Sequence, residues 1–459
     1  MKTYLTSFII SFMAIVIVTP LMIYLGRRYS IVDKSNRRKI HRGAIPRIGG
    51  LGIAIGTLLP VVLLYYHRND ISRVFFSEIS NSIVVIGCGL GISLLGFLDD
   101  AKGVPAKYKF VFQIIIASVA WYFGFRISGL QLTFTSFDFG AFSYPITILW
   151  IVGIINAFNL IDGMDGLSSG VAFFVSITLM VLAIYNGVLF VALISASMAG
   201  AVAGFLIYNF NPAKIFMGDS GSMFIGFILA ILSIKGGSKH QTLVSLFVPI
   251  MAMGLPILDT TLAFTRRFLR KQPIFLADRQ HIHHVLLSKG WNQKKVVMVL
   301  YSISLGFTLL AMLLMMLKDL EVFLILVVFA IIIIVMITKL GYAEMFYGKY
   351  FLRKHEERIE DYLEPFFVDN ISSKPLEEIE EMLFKMPIKG YSFINNEGKV
   401  VKNKGQTDPV NFLDIMTYDG YCLRIFWTKV VPSLNSRESV MFGLISKTIH
   451  QILEKNTLS

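Results

Sequence analysis

An all-α polytopic membrane protein with a small C-terminal cytosolic α+β domain is the fold class this sequence predicts, on three observations. Of 459 residues, 55% are hydrophobic and only 16% are charged, against about 25% charged in a soluble domain. The apolar residues gather into about eleven stretches, each near the roughly 20 residues that a bilayer crossing needs. Beyond about residue 350 that pattern stops, and charged helical runs and short strand-like runs replace it.

The spans fall near 5–25, 48–66, 81–98, 109–127, 142–160, 167–185, 187–207, 220–235, 242–264, 295–316 and 320–340. The first has no small-residue cleavage pattern and runs into Arg27-Arg28, so it reads as a retained span. With the N-terminus outside, the inside loops hold 20 Lys and Arg, and the N-terminal segment and outside loops hold 7. That asymmetry sets the orientation and leaves the C-terminus in the cytosol. The net charge of +13 is mostly this same bias beside anionic lipid, so no nucleic-acid partner is expected. Cys88 and Cys422 offer no disulfide framework.

Two units follow: a membrane body over 1–340 and a cytosolic domain over 350–459. In the second, 353–363, 376–386 and 436–454 read as helices. Tyr391–Ile394 and Tyr421–Trp427 read as strands, with turn signals at Asn395–Gly398 and Asp419-Gly420.

The loops on the inner side carry the unusual residues. Asp99-Asp100 closes the third span and is followed by Lys102, Lys107 and Lys109. Adjacent carboxylates repel unless a cation lies close. Such a pair binds Mg²⁺ or removes a proton, or else it is an acidic cap where a helix meets water. Asn156, Asn159, Asp162 and Asp165 sit at three-residue spacing with Gly163 and Gly166 among them. On helical structure each pair shares a face. Gly218-Asp219-Ser220-Gly221 precedes the eighth span. Asp219 has the chemistry of a Mg²⁺ ligand, and the next residues could present N–H groups to phosphate or form an ordinary cap. The longest inside loop holds Arg266, Arg267, Arg270, Lys271, His281, His283 and His284. The histidines suit phosphate or sugar oxygens, and Arg suits phosphate through its planar fork. Arg270 and Lys271 are assigned to orientation alone. The first loop is basic and ends Pro46-Arg47-Ile48-Gly49-Gly50, a segment divided between contact with an anionic substrate and topology. Asp259, inside the ninth span, stands seven residues before Arg266, about two helical turns or roughly 10 Å. A structural bridge and a substrate-site role are both open.

These segments, in this order and on one face, resemble the polyprenyl-phosphate N-acetylhexosamine-1-phosphate transferases, over about residues 1–340. The first loop, the Asp278–His284 run and Pro256–Thr260 look closer to the undecaprenyl-phosphate N-acetylglucosamine-1-phosphate branch. The resemblance implies that a UDP-N-acetylhexosamine donates sugar-1-phosphate to a membrane polyprenyl phosphate and releases UMP. It implies Mg²⁺, with Mn²⁺ as a substitute, held by Asp219. Asp99 acts on the lipid phosphate with Asp100 beside it. Asn156, Asn159, Asp162, Asp165, His281, His283 and His284 line the donor site, with Arg266, Lys107, Lys109 and Arg47 as further substrate contacts. A bacterial cytoplasmic (inner) membrane location, with the active site facing the cytosol, and a homodimer are the corresponding expectations. The domain after 350 departs from the minimal family body. A secondary transporter is the main rival; it would place polar groups near the midplane in broken helices. An inactive scaffold presenting the C-terminal domain is the second.

Overall fold

The computed structural model describes residues 2–33, 45–66, 78–131, 136–237, 243–269, 281–288, 290–317, 388–394, 400–406, 412–416 and 422–427, with isolated positions between 321 and 383. The chain divides into two compact units, Met1–Val335 and Met336–Ser459.

The first unit is helical. Its long helices are α1 (Lys2–Arg28), α2 (Gly49–Tyr66), α3 (Ile79–Lys102), α4 (Ala106–Tyr122), α5 (Ser143–Ile161), α6 (Leu167–Tyr185), α7 (Leu189–Asn209) and α8 (Gly218–Gly237). They are followed by α9 (Leu243–Ala252), α10 (Gly254–Leu269), the short α11 (Ile282–Ser288) and α12 (Gln293–Leu314). Among the described residues seven helices are long and apolar enough to cross a membrane, so this is a multi-pass membrane protein. Two antiparallel pairs, β1 (Val32–Asp33) with β2 (Ile45–Pro46) and β3 (Gly129–Gln131) with β4 (Ser136–Asp138), lie between helices.

Burial separates the helices by role. In α1, Ser7, Ser11, Ile15, Thr19, Met22 and Gly26 are buried, a stripe at three- and four-residue spacing, while Leu5, Ile9 and Ile17 are exposed on the other face. That pattern fits a helix at the rim, facing lipid. Helix α8 is the hub: 94% of its apolar window is buried, against 22% for α1. Helices α2, α3, α5 and α6 pack around it. Close approach needs small residues, since packing and not water drives helix association in lipid. A Cβ on Gly96 of α3 would overlap the Asp219 backbone, and one on Gly50 of α2 would overlap Gly221.

The stretch expected as one span over 242–264 is instead two helices broken at Met253. Pro249, Gly254 and Pro256 supply the reason, because each weakens helix continuity. The expected span at 320–340 falls almost wholly outside the described residues.

The second unit contains a four-stranded antiparallel sheet in the order β6-β5-β8-β7, from β5 (Ile388–Ile394), β6 (Val400–Gly405), β7 (Phe412–Met416) and β8 (Cys422–Trp427). Tyr391, Leu423 and Ile425 are fully buried. The edge strands β6 and β7 were not anticipated. Strand β6 reads Val-Val-Lys-Asn-Lys-Gly, and charge on an edge strand hides its apolar alternation. The helices expected over 353–363 and 436–454 lie outside the described residues, as does most of 376–386.

Candidate active site

One end of the helical unit collects the polar chemistry: the start of α2, the end of α3, the start of α4, the end of α5 and the start of α8. Asp99 and Asp100 occupy the last turn of α3 and diverge. The Asp100 side chain is buried. Its carboxylate accepts from the backbone N–H of Asp219 and of Ser220, both at 3.0 Å. It therefore caps the first turn of α8 from another helix, where a carboxylate meets the positive end of the dipole. The alternative of an acidic cap where a helix meets water does not describe Asp100, whose side chain is buried and caps a distant helix. The Ser220 N–H, one of those anticipated for phosphate, is thus already engaged.

Asp99 turns the other way. Its Oδ1 accepts from the Val104 N–H at 2.5 Å, and Oδ2 pairs with Lys109 Nζ at 2.7 Å. The same Nζ reaches Asp219 Oδ2 at 3.0 Å. Arg47 lies 3.5 Å from Asp100 Oδ1 and 4.0 Å from Asp219 Oδ1. Three carboxylates from two distant parts of the chain are thus threaded by two cations. Arg47 is placed by main-chain bonding: Phe216 N–H donates to Pro46 O, and the N–H groups of Gly49 and Gly50 donate to Phe216 O and Met217 O. That bonding accounts for the Pro46 to Gly50 segment, which topology alone did not.

Asn159 donates to Asp219 Oδ2 at 3.4 Å, and Ser222 Oγ donates to Asn159 Oδ1 at 3.0 Å. Asn156 donates instead to Gln113 Oε1 at 2.7 Å. Gln113 escaped the sequence reading, although it stands one helical turn from Lys109 on the same face of α4. Helix α5 stops at Ile161, so Asp162 and Asp165 do not share a helical face. Asp162 ends the helix at ψ 42°. Burial, then the like charges of Asp219, Asp100 and Asp165, push its pKa well above the usual carboxylate range, opposed by Arg47. Asp165 is buried and turns away to accept from Asn211 Nδ2 and the Ala213 N–H, each at 3.0 Å. Gly166, at φ 77°, makes that turn. Lys107 is exposed, with its ammonium over the Tyr108 ring.

The histidines form a second corner. Asp259, His281 and His283 are all buried. Asp259 Oδ2 lies 2.9 Å from His281 Nδ1, and Oδ1 accepts from the Ile282 N–H at 2.8 Å. The partner of Asp259 is thus His281; the side chain of Arg266 lies outside the described residues. The His281 and His283 rings stack at 5.9 Å with 8° between planes, and His284 is 4.3 Å from His283. Among the described residues His283 Nε2 is buried without a hydrogen-bond partner, and it faces Gly163, where a Cβ would come within 2.5 Å of it. Burial and the neighbouring His284 push the His283 pKa down to about 4, so the ring is neutral.

Among the described residues no three acidic, histidine or cysteine side chains form a ready metal-binding group. The donor set still fits Mg²⁺, which takes hard oxygens, keeps several waters and uses one or two carboxylates together with substrate phosphates. The clustered charge that disfavours ionised Asp162 is what a divalent cation would relieve.

Comparison with known proteins places this geometry in context. Residues 82–237 match the family model for glycosyl transferase family 4. The chain is 38% identical over 310 residues to a probable undecaprenyl-phosphate N-acetylglucosaminyl 1-phosphate transferase of Bacillus subtilis, covering 67% of this chain and 84% of that protein. It is 34% identical over 320 residues to a decaprenyl-phosphate N-acetylglucosaminephosphotransferase of Mycobacterium leprae, covering 65% and 79%. It is 31% identical over 329 residues to a phospho-N-acetylmuramoyl-pentapeptide-transferase of Halalkalibacterium halodurans, covering 68% and 97%. No transporter or scaffold stands among these relatives.

Proposed function

Because the chain belongs to the polyprenyl-phosphate N-acetylhexosamine-1-phosphate transferases of glycosyl transferase family 4, we propose that it moves N-acetylhexosamine-1-phosphate from a UDP-sugar to polyprenyl phosphate, releasing UMP, at the cytosolic face of the bacterial inner membrane. The reaction class is that of its relatives in cell-envelope glycan synthesis. The observation that carries the assignment of residues is the Lys109 ammonium, 2.7 Å from Asp99 and 3.0 Å from Asp219.

Two phosphorylated substrates must meet here. Two unit charges 4 Å apart repel by about 4 kcal/mol at an effective dielectric near 20. Arg47 and Lys109 offset part of that repulsion. Mg²⁺, held by Asp219 on the donor diphosphate, would supply the remaining positive charge at the transferring phosphoryl group. Asp100 keeps the start of α8, and with it Asp219, in place. Asn159 orients the Asp219 carboxylate. Asp162, at the rim of the same cluster, lines the donor pocket. Asp99 accepts or positions the proton of the lipid phosphate. Both its oxygens already accept strong hydrogen bonds, so it is a weak nucleophile, and transfer in one step to the lipid phosphate is favoured over a phosphosugar adduct on Asp99.

The isoprenoid tail has its own place. A cavity of about 770 Å³ runs beside α5, α8, α9 and α10, lined by Ile154, Ala157, Ile250 and Ile257 among others. Its lining runs along α5 from Ile146 to Ala157, one residue past Asn156, and Arg126 and Lys235 line its other end. We assign residues 350–459 to a separate cytosolic α+β domain and the remaining apolar stretches to a body of about eleven spans.

Purified protein incubated with Mg²⁺, undecaprenyl phosphate and a panel of UDP-sugars should release UMP with an N-acetylhexosamine donor. Release that persists undiminished after removal of divalent ions would overturn the metal assignment. A covalent phosphosugar on Asp99 would overturn the single step.

A further inference from the structure

Asp259 stands outside the carboxylate cluster, yet it is buried and both of its oxygens are engaged. On α10, Ile257, Thr260 and Thr261 line the cavity; their three- and four-residue spacing puts them on one face. Asp259 lies off that face and bonds His281. His281 stacks on His283, whose Nε2 packs against Gly163, the neighbour of Asp162. A continuous set of contacts therefore runs from the wall of the acceptor cavity to the donor loop. Helix α10 is separated from α9 by a single turn residue, Met253, and packs against α5 and α12.

We propose that Asp259 is a positioning residue that couples occupancy of the lipid cavity to the geometry of the donor pocket through His281 and His283. This inference rests on the donor and acceptor sites assigned above. Coupling of this kind is a differential binding free energy between two sites, typically worth about fivefold or more in affinity. The carboxylate is the right group for it. It accepts from the Ile282 N–H and so fixes the start of α11, and it holds the His281 ring by Nδ1–H.

The test measures donor KM at several undecaprenyl phosphate concentrations in the full-length protein. In the wild type, donor KM should fall about fivefold as the acceptor saturates. In Asp259→Asn that dependence should vanish while UMP is still released. His281→Asn, which keeps a donor near the Nδ1 position, should retain most of the coupling, and His281→Leu should lose it. The His281 pair reads the same link if Asp259→Asn does not accumulate. A double-mutant cycle of Asp259→Asn with His281→Leu should be non-additive. Additive effects, a wild-type donor KM independent of acceptor, or equal behaviour of His281→Asn and His281→Leu would each overturn the inference. A wild type that releases no UMP from any donor would instead sink the functional reading, and this inference with it.

Discussion

The carboxylate corner and the histidine corner solve opposite problems. At the first, Asp99, Asp100 and Asp219 are compensated by Lys109, Arg47 and backbone N–H groups. At the second, one carboxylate holds a stack of imidazoles in which His283 is neutral and, among the described residues, its Nε2 has no partner. The first corner is balanced by charge and the second by shape. Charge changes should therefore be ruinous at one, and volume changes graded at the other.

The largest break in that contrast is Asp219→Asn. Removing a preorganised charged group from a reacting centre typically costs about 10²–10³ in rate. UMP release should fall to the upper part of that range, with the thermal midpoint in detergent little changed. Retention of full activity would overturn the metal role proposed for Asp219. Next comes Gly96→Ala. The added methyl meets the backbone of Asp219, which cannot swing aside, so the cost should resemble overpacking, about 1–3 kcal/mol. A lowered thermal midpoint with lost activity is the expected pair of readings.

Gly163→Ala sharpens the comparison. Its methyl meets the ring of His283, which can rotate, so stability should move less than for Gly96→Ala. Donor KM should rise, and kcat/KM should fall toward the roughly 10²-fold loss that a 1 Å misplacement of a bound substrate costs. An unchanged KM would separate the histidine corner from the donor pocket.

The last test is a pH slope. Burial depresses the His283 pKa from 6.5 to about 4. The unfolded chain therefore binds more protons in that interval, and stability rises with pH there. The contribution is complete above about pH 6.5 and is lost as pH falls toward about 4. Thermal midpoints of wild type and His283→Gln should converge on acidification, and a constant gap would contradict the neutral ring.

Much of the site was legible in the sequence because the residues are out of place chemically. Carboxylates at the ends of apolar spans are costly and stand out, and Asp99, Asp219 and Asp162 were found that way. Asp100 was found too, but its work was not. Capping α8 joins positions more than a hundred residues apart, and no local spacing encodes that. Gln113 was missed because one amide inside an apolar helix resembles an ordinary polar contact. Asp165 looked equivalent to Asp162 only while the segment was read as helical. The Gly166 turn sends it to Asn211 instead.

The amino-acid pattern by itself determined the apolar spans, the family resemblance and the candidate site residues, because hydrophobic length and charge are local quantities. Tertiary packing alone decided which cation serves which carboxylate, that Asp259 holds His281, and where α9 gives way to α10. Those outcomes depend on distances across helices, which close contacts at Gly50, Gly96 and Gly163 set to within a methyl group.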